Sequence, residues 1–291
     1  MTQKFDLHMH TTYCDGNNSA EEMVLAALDM GFETIGFSGH SYTWFDESYC
    51  MSPDGTRDYI AEIRALGEKY SDRIRILLGT ELDYWAEIDT TPYDYLIGSS
   101  HYILKDGEYI DSDYSPEILM TGVNKHFGGD PLAAAEAYYK QVGNIISKTG
   151  CDIIGHFDLI TKFNETAGLD ASGKLVKRKD DAEAFKNAAP IMDTADSRYI
   201  AAWKKAIDQI FEDTMALRAA GHKNRLEELG LITAGDKPVF EINTGAMAKG
   251  YRTSPYPAQD QIEYIRSKGG VLILNSDSHS ITTIGHVFDR F

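Results

Sequence analysis

The chain has 291 residues, of which 43% are hydrophobic and 25% charged, a balance typical of a globular protein and unlike that of a disordered or collagen-like chain. Its 45 acidic and 28 basic residues give a net charge of −17, which disfavours binding to the phosphate backbone of duplex nucleic acid. No apolar run approaches the ~18–20 residues of a membrane span, so we expect no membrane association.

The sequence also bears on where the protein functions. Its first residues lack the apolar core of a secretion signal. The three cysteines, Cys14, Cys50 and Cys151, are too few and too scattered for a disulfide scaffold. We therefore predict a cytoplasmic protein, without a prediction of its oligomeric state.

Seven short apolar segments, rich in β-branched or aromatic residues, predict buried parallel strands. Their predicted ranges are 4–8, 34–38, 74–80, 95–99, 152–156, 239–243 and 271–276. Helical patterns separate these segments. Ser19 and Glu22 have the spacing of a capping box that begins the first helix, and Gly31 follows its end. Further helices are predicted at 54–70, 131–148, 198–218 and 257–268.

Strands that alternate with helices favour an α/β fold, and seven of them predict a (β/α)7 barrel with one unit fewer than usual. A doubly wound open sheet is the alternative. Two long insertions, 105–129 and 162–235, follow the fourth and fifth strands at the ends where loops build active sites. We expect both to cap the site within a single domain that spans residues 1–291.

Six of the nine histidines lie at or just beyond the C-terminal ends of predicted strands, together with three acidic residues. The histidines are His8, His10, His40, His101, His156 and His279, and the acidic residues are Asp15, Glu81 and Asp277. Because strand C-termini meet at one rim of a parallel barrel, these side chains are expected to converge. Imidazole and carboxylate together suit Zn, Fe or Mn. Nine ligands exceed one four-coordinate site and could serve two or three ions, particularly if Glu81 bridges two of them.

Each of these signals has an ordinary structural interpretation when taken alone. A strand-end histidine is usually a simple polar residue, and a strand-end glutamate can form a salt bridge. The metal prediction depends on the whole set at one rim. The remaining histidines, His126, His222 and His286, lack that context, and we assign them no catalytic role.

Several motifs, taken in order along residues 6–280, resemble the PHP (polymerase and histidinol phosphatase) family, and within it the histidinol-phosphate phosphatases. They are Asp-Leu-His-Met-His-Thr, Gly-His, Gly-Thr-Glu, Gly-Ser-Ser-His-Tyr, Ile-Gly-His-Phe-Asp, Glu-Ile-Asn-Thr and Ser-Asp-Ser-His. The resemblance implies a distorted (β/α)7 barrel with three metal ions. It implies three ligand sets: His8, His10, Glu81 and Asp277; Glu81, His101 and His156; and Asp15, His40 and His279. Glu81, Asp277 and His279 are the implied catalytic residues.

The substrate contacts depart from the pattern of these phosphatases. Two arginines that such enzymes often carry are replaced here by Thr161 and Ala248. We expect Arg252 to clamp the phosphate, because arginine can donate to two oxygens at once, whereas lysine is a point charge. Further candidate substrate contacts are Lys162, Lys249, Arg198 and Asn243.

The sequence therefore predicts metal-dependent hydrolysis of a small phosphate monoester, with L-histidinol phosphate as the favoured substrate. Metal ions would provide a hydroxide that attacks phosphorus, and no residue is assigned as the general acid. Another small phosphorylated metabolite or a cyclic phosphodiester is the nearest alternative. A nuclease of the same family and a non-enzymatic metal-binding scaffold are the others, and the net charge counts against the nuclease.

Overall fold

A computed structural model describes residues 3–291. Its strands are β1 (Phe5–Asp6), β2 (Thr34–Phe37), β3 (Arg75–Asp83), β4 (Tyr95–Ser99), β5 (Tyr102–Lys105), β6 (Glu108–Asp111), β7 (Ile153–Ile154), β8 (Ala167–Leu169), β9 (Leu175–Lys177), β10 (Ala189–Pro190), β11 (Val239–Asn243) and β12 (Val271–Asn275). Its α-helices are α1 (Ala20–Asp29), α2 (Pro53–Lys69), α3 (Pro116–His126), α4 (Pro131–Val142), α5 (Ile145–Thr149), α6 (Ala182–Lys186), α7 (Ser197–Ala219), α8 (Arg225–Glu228), α9 (Gly245–Ala248) and α10 (Gln259–Ser267).

The seven predicted strands form one parallel sheet in the order β1-β2-β3-β4-β7-β11-β12. The first and last strands of this sheet meet just beyond their ends, where Met9 and Ser278 form a parallel bridge. The amide of His10 donates to the carbonyl of Ser278 at 2.8 Å, and the amide of Ser278 donates to the carbonyl of His8 at 3.0 Å. The sheet is therefore a nearly closed seven-stranded barrel, as the sequence predicts.

Tyr95 fills part of the barrel interior and explains two glycines. Its hydroxyl donates to the carbonyl oxygens of Leu7 and Phe37, so it connects β4 to the segments that follow β1 and β2. A Cβ at Gly36 or Gly79 would lie 2.3 Å from the Tyr95 side chain, which is closer than packed atoms approach. These glycines leave the space that the ring occupies.

Most predicted helices are confirmed, with one division. The capping box at the start of α1 is present, because Ser19 and Glu22 each accept a hydrogen bond from the other's backbone amide. The predicted helix 131–148 is two helices, α4 and α5. Gly143 ends α4 where α7 crosses closely, and a Cβ at Gly143 would lie 3.1 Å from the Cα of Ala206.

A hairpin of β5 and β6, which the strand prediction missed, leads into the first insertion. Asp106 and Gly107 form its turn with φ values of 52° and 82°. Asp-Gly is the dipeptide that two-residue hairpin turns favour, because both residues must adopt positive φ. Residues Asp111, Asp113 and Tyr114 of this insertion reach the cavity at the barrel rim.

The second insertion is arranged differently from the expected cap. It contains a small antiparallel sheet, β10-β8-β9, followed by α7. The long helix α7 packs against α4, α5 and α10, so it belongs to the helical layer around the barrel. Of residues 162–235, Lys162 reaches the rim cavity. Within residues 3–291, no helix combines the length and apolarity that a membrane crossing requires.

Candidate metal centre

The C-terminal rim of the barrel brings all nine predicted metal ligands together. Seven of them line a cavity of about 410 Å³: Asp15, His40, Glu81, His101, His156, Asp277 and His279. The other two, His8 and His10, follow β1 and are fully buried beside these residues. The convergence expected from a parallel barrel is therefore present in the structure.

Glu81 lies at the centre of this group, on β3, and its side chain is 1% exposed. Its two oxygens face five imidazoles. Oε2 lies 3.1 Å from His8 Nε2, 3.1 Å from His40 Nδ1 and 3.4 Å from His10 Nε2, and Oε1 lies 2.7 Å from His156 Nε2 and 3.3 Å from His101 Nε2. Burial by itself raises the pKa of Glu81, but the surrounding imidazoles hold it well below its usual range. The carboxylate therefore offers two ionised oxygens in different directions.

Hydrogen bonds on the far side of the imidazole rings orient three of the histidines. His8 Nδ1 lies 2.9 Å from Glu241 Oε2, and His101 Nδ1 lies 3.1 Å from Asp83 Oδ2. His279 Nδ1 lies 2.9 Å from the carbonyl oxygen of Asp277, which can only accept, so Nδ1 carries the proton. In each case Nε2 faces a carboxylate of the centre, the orientation that metal-bound histidines adopt.

The charge state of the histidines differs with their neighbours. Burial alone lowers the pKa of His8, but the carboxylates of Glu241, Asp277 and Glu81 raise it well above its usual value. The pKa of His101 is also raised, against the effect of burial, chiefly by Glu81. Burial lowers the pKa of His10 to about 3, and the neighbouring His279 and His40 act in the same direction. Protonated His8 and His101 therefore offset part of the negative charge of the carboxylates, whereas His10 is neutral.

The donor set fits metal ions. His10 Nε2 is buried and has no hydrogen-bond partner within residues 3–291, although it lies 3.2 Å from Asp277 Oδ1 and 3.4 Å from Glu81 Oε2. Without a proton on Nε2, this nitrogen directs a lone pair at the lone pairs of two carboxylate oxygens. A cation between these atoms removes that conflict, because imidazole and carboxylate are both good metal donors.

Three groups of residues have ligand atoms close enough together to hold an ion, all within 4.8 Å of one another. They are His10, Asp15, His40 and His279; His8, His10 and Asp277; and His40, Glu81 and His101. These groups use the predicted residues but divide them differently from the sets that the resemblance implies. His10 and His40 each belong to two groups.

Glu241 is a residue of the centre to which the sequence analysis gave no role. It is fully buried on β11 and accepts hydrogen bonds from four donors. The donors are His8 Nδ1 at 2.9 Å and, each at 2.8 Å, the amide of His156, Asn243 Nδ2 and Asn275 Nδ2. A glutamate within a fully buried strand was the available signal. Glu241 fixes the positions of two of the predicted ligands.

The predicted substrate contacts divide into two groups. Lys162 and Lys249 line the cavity. Lys162 Nζ donates to the carbonyl oxygen of Asp113 at 2.7 Å and to its carboxylate at 3.0 Å. Asp113 raises the pKa of Lys162 against the effect of burial. Lys249 Nζ lies 3.3 Å from His279 Nε2.

The structure does not bring Asn243 or the two arginines to the cavity. Asn243 is buried and donates to Glu241 and, at 3.3 Å, to Asp277. Arg198 lies on the outside of α7, in ion pairs with Asp130 and Glu136.

Arg252 is the most important of these departures from expectation. Its side chain is 7% exposed, and Nη1 lies 3.2 Å from Asp158 Oδ2 and 2.8 Å from Thr161 Oγ1. Its guanidinium lies over the ring of Tyr256, which separates it from the metal centre. Unlike Lys162, Arg252 does not line the cavity, which differs from the position expected of a phosphate clamp.

The cavity wall opposite the barrel is acidic and aromatic. Asp46, Asp111 and Asp113 line it together with Tyr49, Tyr102 and Tyr114. Asp111 Oδ1 accepts from the amides of Asp113 and Tyr114, both at 2.8 Å. Burial raises the pKa of Asp111 to about 6, and the nearby charge of Asp113 acts in the same direction. This wall favours a positively charged group.

A family model described as the PHP domain matches residues 6–200, more than half of the chain. The chain belongs to the PHP family. The family resemblance that the motifs indicate is thereby confirmed.

Known proteins are similar to this PHP protein in sequence or in fold. It is 26% identical over 298 residues to a Schizosaccharomyces pombe protein named "Probable histidinol-phosphatase", across 96% of this chain and 81% of the relative. A solved structure from Listeria monocytogenes has a TM-score of 0.71 at 18% identity, over 99% of this chain and 100% of the other. A histidinol phosphate phosphatase from Lactococcus lactis subsp. lactis, solved with Zn, L-histidinol and phosphate, has a TM-score of 0.60 at 18% identity, over 96% of this chain and 87% of that one. The two structures confirm the barrel fold.

Proposed function

We propose that this PHP protein is a metal-dependent phosphatase that hydrolyses L-histidinol phosphate to L-histidinol and phosphate. One observation carries the proposal: nine imidazole and carboxylate side chains converge at the barrel rim, and seven of them line a cavity together with Lys162 and Lys249. Relatives named as histidinol phosphatases, one of them solved with Zn, L-histidinol and phosphate, support it. We also propose a single domain and a cytoplasmic location, as the sequence predicts.

We assign three divalent ions, Zn, Fe or Mn, to the rim. The ligand sets are those that the resemblance implies: His8, His10, Glu81 and Asp277; Glu81, His101 and His156; and Asp15, His40 and His279. The unpartnered Nε2 of His10 and the two-sided environment of Glu81 support this assignment. Bound divalent ions supply a nucleophile from water at neutral pH and neutralise charge on the phosphoryl oxygens.

Side chains of the cavity can bind the phosphate and the ammonium group of the substrate. Lys162 and Lys249 provide positive charge for the phosphate dianion, in place of the arginines that related phosphatases often carry. Hydrolysis breaks the bond between phosphorus and the alcohol oxygen, and a proton must reach that oxygen as it leaves. Histidinol carries an ammonium group, and the carboxylates of Asp46 and Asp111 on the cavity wall suit that charge.

Three substrates test this function against its alternatives. We expect the metal-loaded protein to hydrolyse L-histidinol phosphate with a kcat/KM well above that for p-nitrophenyl phosphate, and to leave a short oligonucleotide intact. A preference for the oligonucleotide would indicate the nuclease. No hydrolysis of any of the three would favour the metal-binding scaffold.

The metal content provides the control for this assay. Elemental analysis of protein purified without chelator should give more than one equivalent of transition metal per chain. Treatment with a chelator should abolish turnover, and the metal should restore it. A folded and active preparation that contains no metal would exclude the proposed chemistry.

A further inference from the structure

The outermost group of ligands differs from the inner ones in its exposure. Asp15, its carboxylate, is 34% exposed, whereas Glu81 is 1% exposed and Asp277 is 16% exposed. An ion bound near water is screened more strongly than an ion bound in the interior. Exposure alone therefore makes the outer position the weaker one.

A lysine also lies at this position. His279 donates through Nδ1 to the Asp277 carbonyl, so its Nε2 presents a lone pair. That nitrogen lies 3.0 Å from Asp15 Oδ2 and 3.3 Å from Lys249 Nζ. The ammonium can donate to Nε2, and it places a positive charge beside two acceptors that face each other. Lys249 therefore uses the same lone pair that an outer ion requires.

The backbone places this lysine near the centre. Lys249 is the C-cap of α9, a single turn of helix that follows β11, and its amide donates to the carbonyl of Gly245 at 3.0 Å. Within the described residues, no lysine or arginine forms an ion pair with Glu81 or Asp277, whose ion-pair partners are all histidines.

We infer that Lys249 is a tethered cation that competes with the metal ion at Asp15, His40 and His279, so that this ion is the weakly held and exchangeable one of the set. The inference rests on the proposed function for its three-ion assignment. Binding of the outer ion displaces the ammonium from His279 Nε2 into the cavity that Lys249 lines. Removal of the charge should therefore tighten the outer ion most, because Lys249 contacts His279 directly and acts on Asp277 without forming an ion pair.

The test follows zinc leaving the loaded full-length protein after mixing with a chromogenic chelator. Asp15→Asn identifies the outer ion, because it should remove or accelerate the fastest phase of release. In Lys249→Met this phase should slow by about tenfold, since a nearby like charge is lost. Lys249→Arg keeps the charge and should release zinc at a rate close to the unmodified protein. Lys205→Met, which removes the same charge from the exposed face of α7, should have no effect.

The double variant Asp15→Asn/Lys249→Met completes the cycle and should match Asp15→Asn alone, since the lysine acts on an ion that is no longer held. A fastest phase in Lys249→Met that is unchanged or faster overturns the inference but leaves the proposed function standing. A loaded protein that holds no zinc overturns both.

Discussion

His8 Nδ1 lies 2.9 Å from Glu241 Oε2, and this contact between β11 and the segment after β1 directs the other nitrogen of His8 at Glu81. Both residues are fully buried. All four hydrogen-bond partners of Glu241 are donors. The side chain at position 241 must therefore act only as an acceptor, as an ionised carboxylate does. The orientation of a predicted ligand thus depends on a carboxylate that is not among the assigned ligands.

Glu241→Gln should consequently weaken both the fold and the metal centre. A glutamine places its NH₂ group against one of the four donors, and an unsatisfied buried donor costs about 1–3 kcal/mol. Loss of the orientation of His8 should lower metal affinity by about 10–100-fold. Thermal unfolding and metal titration measure the two effects. Glu33→Gln, on an exposed glutamate paired with Lys4, is the matched control and should change neither.

Glu81→Gln should remove most of the activity without unfolding the protein. The amide keeps the size of the side chain but loses the charge shared between five imidazoles, and we expect turnover to fall by at least ~100-fold. Initial rates with L-histidinol phosphate and with p-nitrophenyl phosphate provide the measurement. Near-normal turnover with either substrate would show that Glu81 does not bridge two ions.

Arg252→Ala should lower the free energy of unfolding. Arg252 and Asp158 form a buried pair, and removal of one partner leaves an uncompensated charge that costs about 3–5 kcal/mol. Chemical denaturation measures this loss. Arg252→Met/Asp158→Asn should recover part of it, since neither charge then remains.

The effect on KM separates the two possible roles of Arg252. For an arginine behind the cavity wall, the KM of the folded variant should stay close to normal, whereas Lys162→Met should raise it. A large rise in KM for Arg252→Ala, without a loss of stability, would restore the role expected from the sequence.

Metal binding should strengthen as the pH rises from about 6 to 8. The pKa values of His8 and His101 are raised, so both carry protons near neutral pH in the metal-free protein. An ion must displace those protons, and each adds about tenfold in apparent affinity per pH unit. Zinc titrations at three pH values test this dependence, and a flat response would contradict it.

The same shifts give the metal-free fold the opposite pH dependence. A raised folded-state pKa contributes stability that is fully present below the unfolded value of about 6.5 and is lost as the pH rises through the folded value. The contribution of these two histidines to the stability of the chelated protein should therefore decrease from about pH 6 to 8. Thermal unfolding with and without zinc shows whether the two forms respond in opposite directions.

The sequence predicts the barrel well because buried parallel strands leave a strong apolar signal. Strand ends are less predictable. The predicted strand 152–156 is a regular strand only over Ile153–Ile154. At its C-terminal end, the amide of His156 donates to the side chain of Glu241 and not to a neighbouring strand. Whether a backbone amide finds a side-chain acceptor depends on residues far away in sequence, so local patterns cannot reveal it.

The rim position of most candidate ligands was predictable for a related reason, whereas the position of Arg252 was not. A ligand directly after a strand is placed at the rim by topology alone. Arg252 lies nine residues beyond β11, and its direction depends on a buried partner, Asp158, that periodicity does not expose. The position of Lys249 was easier to predict, because this residue lies only one helical turn beyond β11.

The seam between β1 and β12 also bears on the order of folding. His8 and His10 lie on one side of it and Asp277 and His279 on the other, and the contact between Asp15 and His279 spans 264 positions of sequence. Contacts between residues so far apart in sequence form late in folding, because closing the long loop between them has a large entropic cost. The centre is therefore incomplete until the barrel closes, so an ion should slow unfolding far more than it speeds folding. Amide hydrogens at Met9 and Ser278 should then exchange faster once the ions are removed, while those in β3 and β4 keep their protection.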